Sequence, residues 1–387
     1  MKIALLCSGL GNVLRGHEVF ARDLFNLLYD SLDITLFKGG GDQAVRELVI
    51  DNVPRNSSYL DNIHVCVSEK WENSVREQER NRIETETFAY ASIRPLLEGG
   101  FDVIHCLEQE VCNIIYDQRH LFKKVPKIVF SNGGAIPAKK LPRCDFVQEH
   151  TGFNLGHSAK DKAFMIPHGV DLNRFQLGMK SDFRKVHGIP GDAFLVISVG
   201  TICYWHKRMD YVIQELADLD DVYLVIAGQT CGDTPAIKEL GERLLGKRVR
   251  FVTLPHDELA AAYAAANLFV LGSLFEAFGI VYIEAMAMGL PVICTNHPNQ
   301  KSIVQEGIFI DMKQPGALND VLKNRDPNVL KALAKKGRKI VETEYDLTVL
   351  KQRYIEKYTE IANSEVVLPK YSVTDKLRSN LSNFLRG

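Results

Sequence analysis

Ser273–Thr295 reads SLFEAFGIVYIEAMAMGLPVICT. The segment passes from a strand end through an acidic loop to a glycine, then a helix, a Gly-Leu-Pro turn and a second strand. Gly279 stands where the helix begins, so the amides of Phe278, Gly279 and Ile280 point out of its N-terminus. Such an end favours phosphate or hydroxyl oxygens. Glu276 lies in the loop before it, and Glu284 lies one turn beyond Ile280. The pattern places both carboxylates beside one pocket at the C-terminal edge of a sheet, where α/β proteins bind ligands. Two readings are open at this point. The carboxylates accept hydrogen bonds from a ribose or hexose diol, or Glu284 is an ordinary exposed helix residue and Glu276 a favourable charge near the helix start.

Around this stretch, short apolar runs alternate with amphipathic helical stretches. In the first half Lys2–Cys7, Asp33–Phe37, Val103–Cys106 and Lys127–Ser131 read as strands, with Phe20, Leu24, Leu27 and Leu28 at helical spacing between the first two. Strand, helix, strand in that order argues for a parallel sheet covered by helices. The pattern restarts with Ala193–Val199, Val222–Ala227, Arg248–Val252, Asn267–Leu271 and Pro291–Thr295 as strands. Helical stretches near Met209–Ala217, Pro235–Leu245, Asp257–Ala266 and Gly279–Met288 separate them. Two Rossmann-like halves fit better than one large sheet, with a junction near Pro167–Phe175, where Pro and Gly interrupt the alternation.

The chain of 387 residues exceeds the roughly 100–200 residues of one domain. With 46% hydrophobic residues it has material for two cores. A net charge of −1 gives no global field towards nucleic acid or a membrane. The apolar run of the first strand is too short for a signal peptide, and no stretch is long and apolar enough to span a bilayer. Eight cysteines without a CxxC pair fit a reduced, cytoplasmic protein with buried thiols and argue against structural zinc. Three segments depart from the alternation. Glu69–Tyr90 carries both signs of charge and reads as a long, largely solvated helix. Arg119–Arg143 is basic, which fits a solvated face or a surface for an anionic acceptor or acidic lipid headgroups. The tail Ser372–Gly387 sets Leu377, Leu381, Phe384 and Leu385 on one helical face, for packing or for peripheral contact with the inner membrane face.

The glutamate stretch, Glu276-Ala-Phe-Gly279-Ile-Val-Tyr-Ile-Glu284-Ala-Met-Ala-Met-Gly289-Leu-Pro291, resembles the E-G-F-G…E-A-M-A-x-G-x-P pattern of glycosyltransferase family 4. Ile166-Pro-His-Gly-Val-Asp171 with Phe175, Val199-Gly200 with Lys207, and Phe101-Asp-Val-Ile-His105 resemble three further motifs of that family in order and spacing. The resemblance covers about residues 1–350. It implies an α/β protein of the GT-B fold, two Rossmann-like domains with parallel sheets facing a deep interdomain cleft. The expected division is residues 1–170 for the acceptor side, 171–350 for the nucleotide-sugar donor, and 351–387 for C-terminal helices crossing back to the first domain.

The resemblance also implies roles. Glu284 binds the donor's ribose hydroxyls, Glu276 contacts the transferred sugar, and the amides of Phe278, Gly279 and Ile280 lie against the sugar and diphosphate. Lys207, after the Gly200 loop, neutralises the diphosphate as charge grows on the departing phosphate. The implied activity is retaining hexosyl transfer in carbohydrate biosynthesis, to a carbohydrate, lipid-linked or small-molecule acceptor. No cofactor is implied beyond the nucleoside diphosphate sugar itself, and no metal: there is no Asp-x-Asp or His cluster at a strand end, and Lys207 offsets the charge.

The chain departs from the family pattern at two places. Thr201 follows Gly200 where the family often has arginine, which leaves Arg208 as a substitute phosphate cation. His105-Cys-Leu107-Glu108 replaces His-x-His, which leaves His105 or Glu108 to face the reacting sugar, or neither. Ser8-Gly-Leu-Gly11-Asn12 lacks the third glycine of a dinucleotide fingerprint, Leu14 standing there. Gly11 therefore fits either a backbone approach to the diphosphate or acceptor, or a plain tight turn. The competing functions are a nucleotide-sugar epimerase on the same fold, a non-catalytic nucleotide-sugar binder, and a nicotinamide oxidoreductase, which the incomplete fingerprint disfavours.

Overall fold

Residues 1–13, 15–255, 258–366 and 368 are described by the computed structural model. The strand-helix alternation builds two separate parallel sheets. The first comprises β1 (Lys2–Cys7), β2 (Asp33–Lys38), β3 (Glu47–Val49), β4 (Val103–Cys106), β5 (Lys127–Ser131), β6 (Phe146–Glu149) and β7 (Ala163–Met165). Its order is β3-β2-β1-β4-β5-β6-β7. The second comprises β8 (Phe194–Val199), β9 (Val222–Ala227), β10 (Val249–Val252), β11 (Leu268–Val270), β12 (Val292–Thr295) and β13 (Ile308–Ile310), in the order β10-β9-β8-β11-β12-β13. In each sheet the order reverses beside the first strand, β1 or β8, which opens a crevice at the carboxyl ends of the strands. Strands β3, β6, β7 and β13 escape a reading by periodicity because they are short and lie at or next to the sheet margins.

Central strands are buried on both faces and therefore read as continuous apolar runs, as in Ile3–Cys7 and Leu195–Val199. The two halves join where the chain leaves the first sheet and where it returns. Val170 donates its amide to Tyr345 O at 2.8 Å and accepts from Leu347 at 3.3 Å, so the outgoing and returning chains pair. Gly169 is required there, because a Cβ would lie 2.4 Å from Leu347 Cδ2 and 3.1 Å from Tyr345 O. The helix Leu347–Asn363 then sends Leu350, Tyr354, Tyr358 and Ile361 into the core of the first sheet. The apolar tail stripe at Ser372–Gly387 lies outside the described residues. No helix among the described residues is long and apolar enough to cross a membrane.

Two charged segments are more tightly built than their composition implies. The long helix runs from Glu69 to Gly99 and buries one face along its second half, at Phe88, Ala89, Ser92 and Leu96, while Tyr90 and Leu97 stay exposed. Its fully buried Glu84 pairs with Arg55. The basic segment is neutralised in part from within the domain, while Lys123, Lys139 and Lys140 stay exposed. Arg119 is buried against Asp145 at 2.6 Å, Arg143 meets Asp117 at 2.6 Å, and Lys124 pairs with Asp102.

Candidate active site

The site begins where β8 ends. Gly200 has φ +148°, and its amide bonds to Ala227 O at 2.9 Å. A Cβ on Gly200 would sit 2.9–3.2 Å from the Lys207 side-chain carbons, so the lysine stem lies directly on this glycine. Laid down this way, Lys207 Nζ reaches Glu276 Oε1 at 2.6 Å. Both side chains are mostly buried, at 15% and 7% exposure, so the pair is little screened by water. His206 approaches the same oxygen at 3.8 Å. Burial pushes its pKa down despite the neighbouring carboxylate.

The loop carrying Glu276 is fixed by its carbonyls. Glu276 O accepts from Asn299 Nδ2 at 2.7 Å and Gln300 Nε2 at 3.1 Å, and Ala277 O accepts from Asn299 Nδ2 at 3.0 Å. Asn154, in the helix Gly152–His157 of the first half, also donates to Ala277 O at 3.3 Å. The loop is thereby tied to both halves of the chain. Asn299 and Gln300 follow β12, and polar side chains just beyond a strand's carboxyl end are a readable signal that the motif reading passed over.

Gly279 caps the helix Ile280–Ala287 with φ +75°. A Cβ there would lie 2.7 Å from Tyr282 Cε2, so both conformation and packing demand glycine. Glu284 lies on the buried face of this helix, and its Oε2 accepts from Tyr263 OH at 2.9 Å. It is not a solvated helix residue. Removing that donor in Tyr263→Phe leaves a buried carboxylate oxygen short of a bond. We expect urea denaturation to report a loss of about 1.5–3 kcal/mol; an unchanged midpoint would rule the bond out as a stabilising contact. Phe278 turns inward and packs edge-on against His168, centroids 4.9 Å apart. His168 in turn stacks on His150 at 3.9 Å, beneath Phe20.

Three expected positions are engaged with other partners. His105 is fully buried in the first core, its Nδ1 2.6 Å from Tyr358 OH of the returning helix, because its side chain points to the sheet face that the helix covers. It therefore packs the domain instead of facing a sugar. Arg208 has φ +49° and gives its guanidinium to Met312 O at 2.6 Å, over the Tyr211 ring. It braces the backbone and leaves Lys207 as the cation beside Glu276. Gly11 has φ +93°, and the space of its missing side chain is filled by Gly40, whose carbonyl would lie 2.2 Å from a Cβ. Loop-on-loop packing thus accounts for it. Glu108, by contrast, stands at the carboxyl end of β4, accepting from Ser8 N at 2.8 Å and Ser8 Oγ at 3.0 Å.

Comparisons with known proteins agree with this architecture. Residues 179–340 match the family model described as glycosyl transferases group 1. The O-antigen biosynthesis glycosyltransferase WclY of Escherichia coli is 28% identical over 201 residues, covering 52% of this chain and 56% of WclY. The chain thus spans about half the length of the curated relatives it matches. Sucrose-phosphate synthase from Thermosynechococcus elongatus superposes with a TM-score of 0.72 at 19% identity, over 93% of this chain and 98% of that one. HepE of Anabaena, solved in complex with UDP and glucose, superposes with a TM-score of 0.71 at 16% identity, over 93% and 100%. At these identities the likeness is one of fold, and the fold is GT-B.

Proposed function

Because residues 179–340 match the glycosyl transferases group 1 model and both sheets are arranged as in GT-B proteins, we propose that the protein is a retaining glycosyltransferase. It moves a sugar from a nucleoside diphosphate sugar to an acceptor hydroxyl. The observation that carries this reading is the Lys207–Glu276 pair, 2.6 Å apart in front of the helix that starts at Ile280. A diphosphate entering there meets one fixed cation and a set of free helix amides. In the free protein Glu276 neutralises Lys207. On donor binding Lys207 exchanges that partner for the diphosphate, which releases the Glu276 carboxylate to bind a hydroxyl of the sugar. Glu284, oriented by Tyr263, takes the ribose. As the glycosidic bond breaks, negative charge grows on the departing phosphate and Lys207 stabilises it. Lys207 supplies positive charge that a metal ion would otherwise bring, so we place no metal at the diphosphate.

The acceptor, a carbohydrate or a lipid-linked or small molecule, enters from the first domain. One observation favours a second reading, that of a nucleotide-sugar binder without turnover: His105 is locked in the core with Leu107 also buried, so neither faces the sugar. Release of nucleoside diphosphate from UDP-, GDP- and ADP-sugars separates the two. Slow release, lost in Glu276→Gln, supports transfer chemistry. Binding without release supports the binder, and conversion of the sugar with the diphosphate intact marks an epimerase.

A further inference from the structure

At the carboxyl end of the first sheet, three side chains of different chemistry converge from three elements. Cys7 is the last residue of β1, His17 stands in the first turn of the helix Gly16–Leu28, and Glu108 precedes the helix Gln109–Gln118. Their ligand-type atoms all lie within 4.8 Å of one another. His17 Nε2 is 3.6 Å from Glu108 Oε1, too far for a hydrogen bond. Both His17 Nε2 and Glu108 Oε2 are buried without a hydrogen-bond partner. Leaving a buried polar atom without a hydrogen bond costs about 1–3 kcal/mol, so a ligand that bonded both would be favoured.

The neighbouring charges are already engaged and do not fill it. Glu18 bonds back to the amide of Arg15 at 3.0 Å, and Arg55 is held by Glu84. Ser8 fixes Glu108 through Oε1 alone, leaving Oε2 directed elsewhere. Hydrogen bonding of one carboxylate oxygen is the usual support for a carboxylate whose other oxygen ligates a metal.

We propose that Cys7, His17 and Glu108 form a binding site for a zinc-class divalent cation, with Ser8 orienting the carboxylate. Ligands about 2.0–2.3 Å from tetrahedral zinc lie about 3.3–3.8 Å apart, so the set closes around the ion by small side-chain rotations. A thiolate, an imidazole and a carboxylate suit zinc, whereas magnesium and calcium prefer oxygen alone. A thiolate and a carboxylate together balance the charge of the ion, which keeps the mostly buried site neutral. His17 is the most exposed of the three, its side chain at 31%, so the fourth position opens on its side. The three residues belong to the first sheet's half of the chain, whereas Lys207 and Glu276 belong to the second.

The test uses the full chain, stripped of metal by chelation and titrated with cobalt(II) as an optical probe for the zinc site. A thiolate-to-cobalt charge-transfer band saturating at about one equivalent is expected. Zinc should displace the cobalt. The band should vanish in Cys7→Ser, and cobalt affinity should fall at least about tenfold in His17→Ala and in Glu108→Gln. Glu108→Gln keeps the side-chain shape and guards against misfolding of the cysteine variant, and circular dichroism reports the fold of each. Cys66→Ser and Cys231→Ser, at the two exposed thiols, should leave the band unchanged. A chain without the band, or a band that persists in all three ligand variants, overturns the proposal. The outcome does not depend on nucleotide-sugar binding, so either reading can fail while the other stands.

Discussion

Replacing Lys207 by alanine is expected to lower donor turnover by about 10²–10³-fold, the loss found when one fixed charge partner of a developing oxyanion is removed. The effect follows from placement. Gly200 provides the surface on which the lysine stem lies, and the ammonium ends 2.6 Å from Glu276 in a site that excludes most water. Arg208, the neighbouring cation, is held by Met312 O and cannot replace it without surrendering that bond. The same substitution strands Glu276, which is only 5% exposed. Breaking a buried pair by removing one partner costs about 3–5 kcal/mol, so Lys207→Ala should also melt earlier. The double variant Lys207→Ala/Glu276→Gln should recover part of the stability and none of the turnover. Steady-state release of nucleoside diphosphate, read beside thermal melting, checks both halves. Turnover within about threefold of wild type would remove Lys207 from the chemistry.

The second large effect is acid sensitivity. His105, His150 and His168 are buried and stay neutral: burial, aided by the proximity of other histidines, pushes His105 and His150 down to about 3 and His168 well below its ordinary value. In the unfolded chain each titrates near 6.5. Below that value the unfolded state binds protons that the native state refuses, so stability is full above pH 6.5 and falls with falling pH towards about 3. Three such groups set a slope of up to about 4 kcal/mol per pH unit. Glu149, Asp117 and Asp210, whose pKa values burial raises, oppose this in part by holding protons in the native state. A net loss of up to about 3 kcal/mol between pH 6 and pH 5 is expected, measured by urea denaturation at each pH. Equal stability at both values would mean that the histidines are charged in the native state.

How far the sequence reaches is clearest in the glutamate stretch. The strand-loop-helix reading of Ser273–Thr295 rests on local pattern, and β11, the helix Ile280–Ala287 and β12 stand where it places them. The Gly279 conformation was legible for the same reason, since a glycine at a helix start has few other uses. His105 was not, because its role depends on Tyr358, which is distant in sequence and arrives only through the returning helix. Arg208 sits beside Lys207 in the chain, yet a left-handed turn at its own residue sends the two cations to different partners. The carbonyl clamps from Asn299 and Gln300, and the convergence of Cys7, His17 and Glu108, are likewise products of topology. Motif spacing reports what one segment does; it carries little about which segments meet.

The central claim is that the pocket bordered by Lys207, Glu276 and Glu284 binds a nucleoside diphosphate sugar. Thermal melting of wild type and Glu284→Ala with UDP-, GDP- and ADP-sugars, alongside the free nucleotides, tests it most directly. A ligand at about 100 times its dissociation constant stabilises by about 2.7 kcal/mol, a readily measured shift. The account predicts that at least one of these ligands raises the wild-type melting temperature and that Glu284→Ala loses most of that rise. A melting curve that none of them moves, or a shift that survives unchanged in Glu284→Ala, would contradict it.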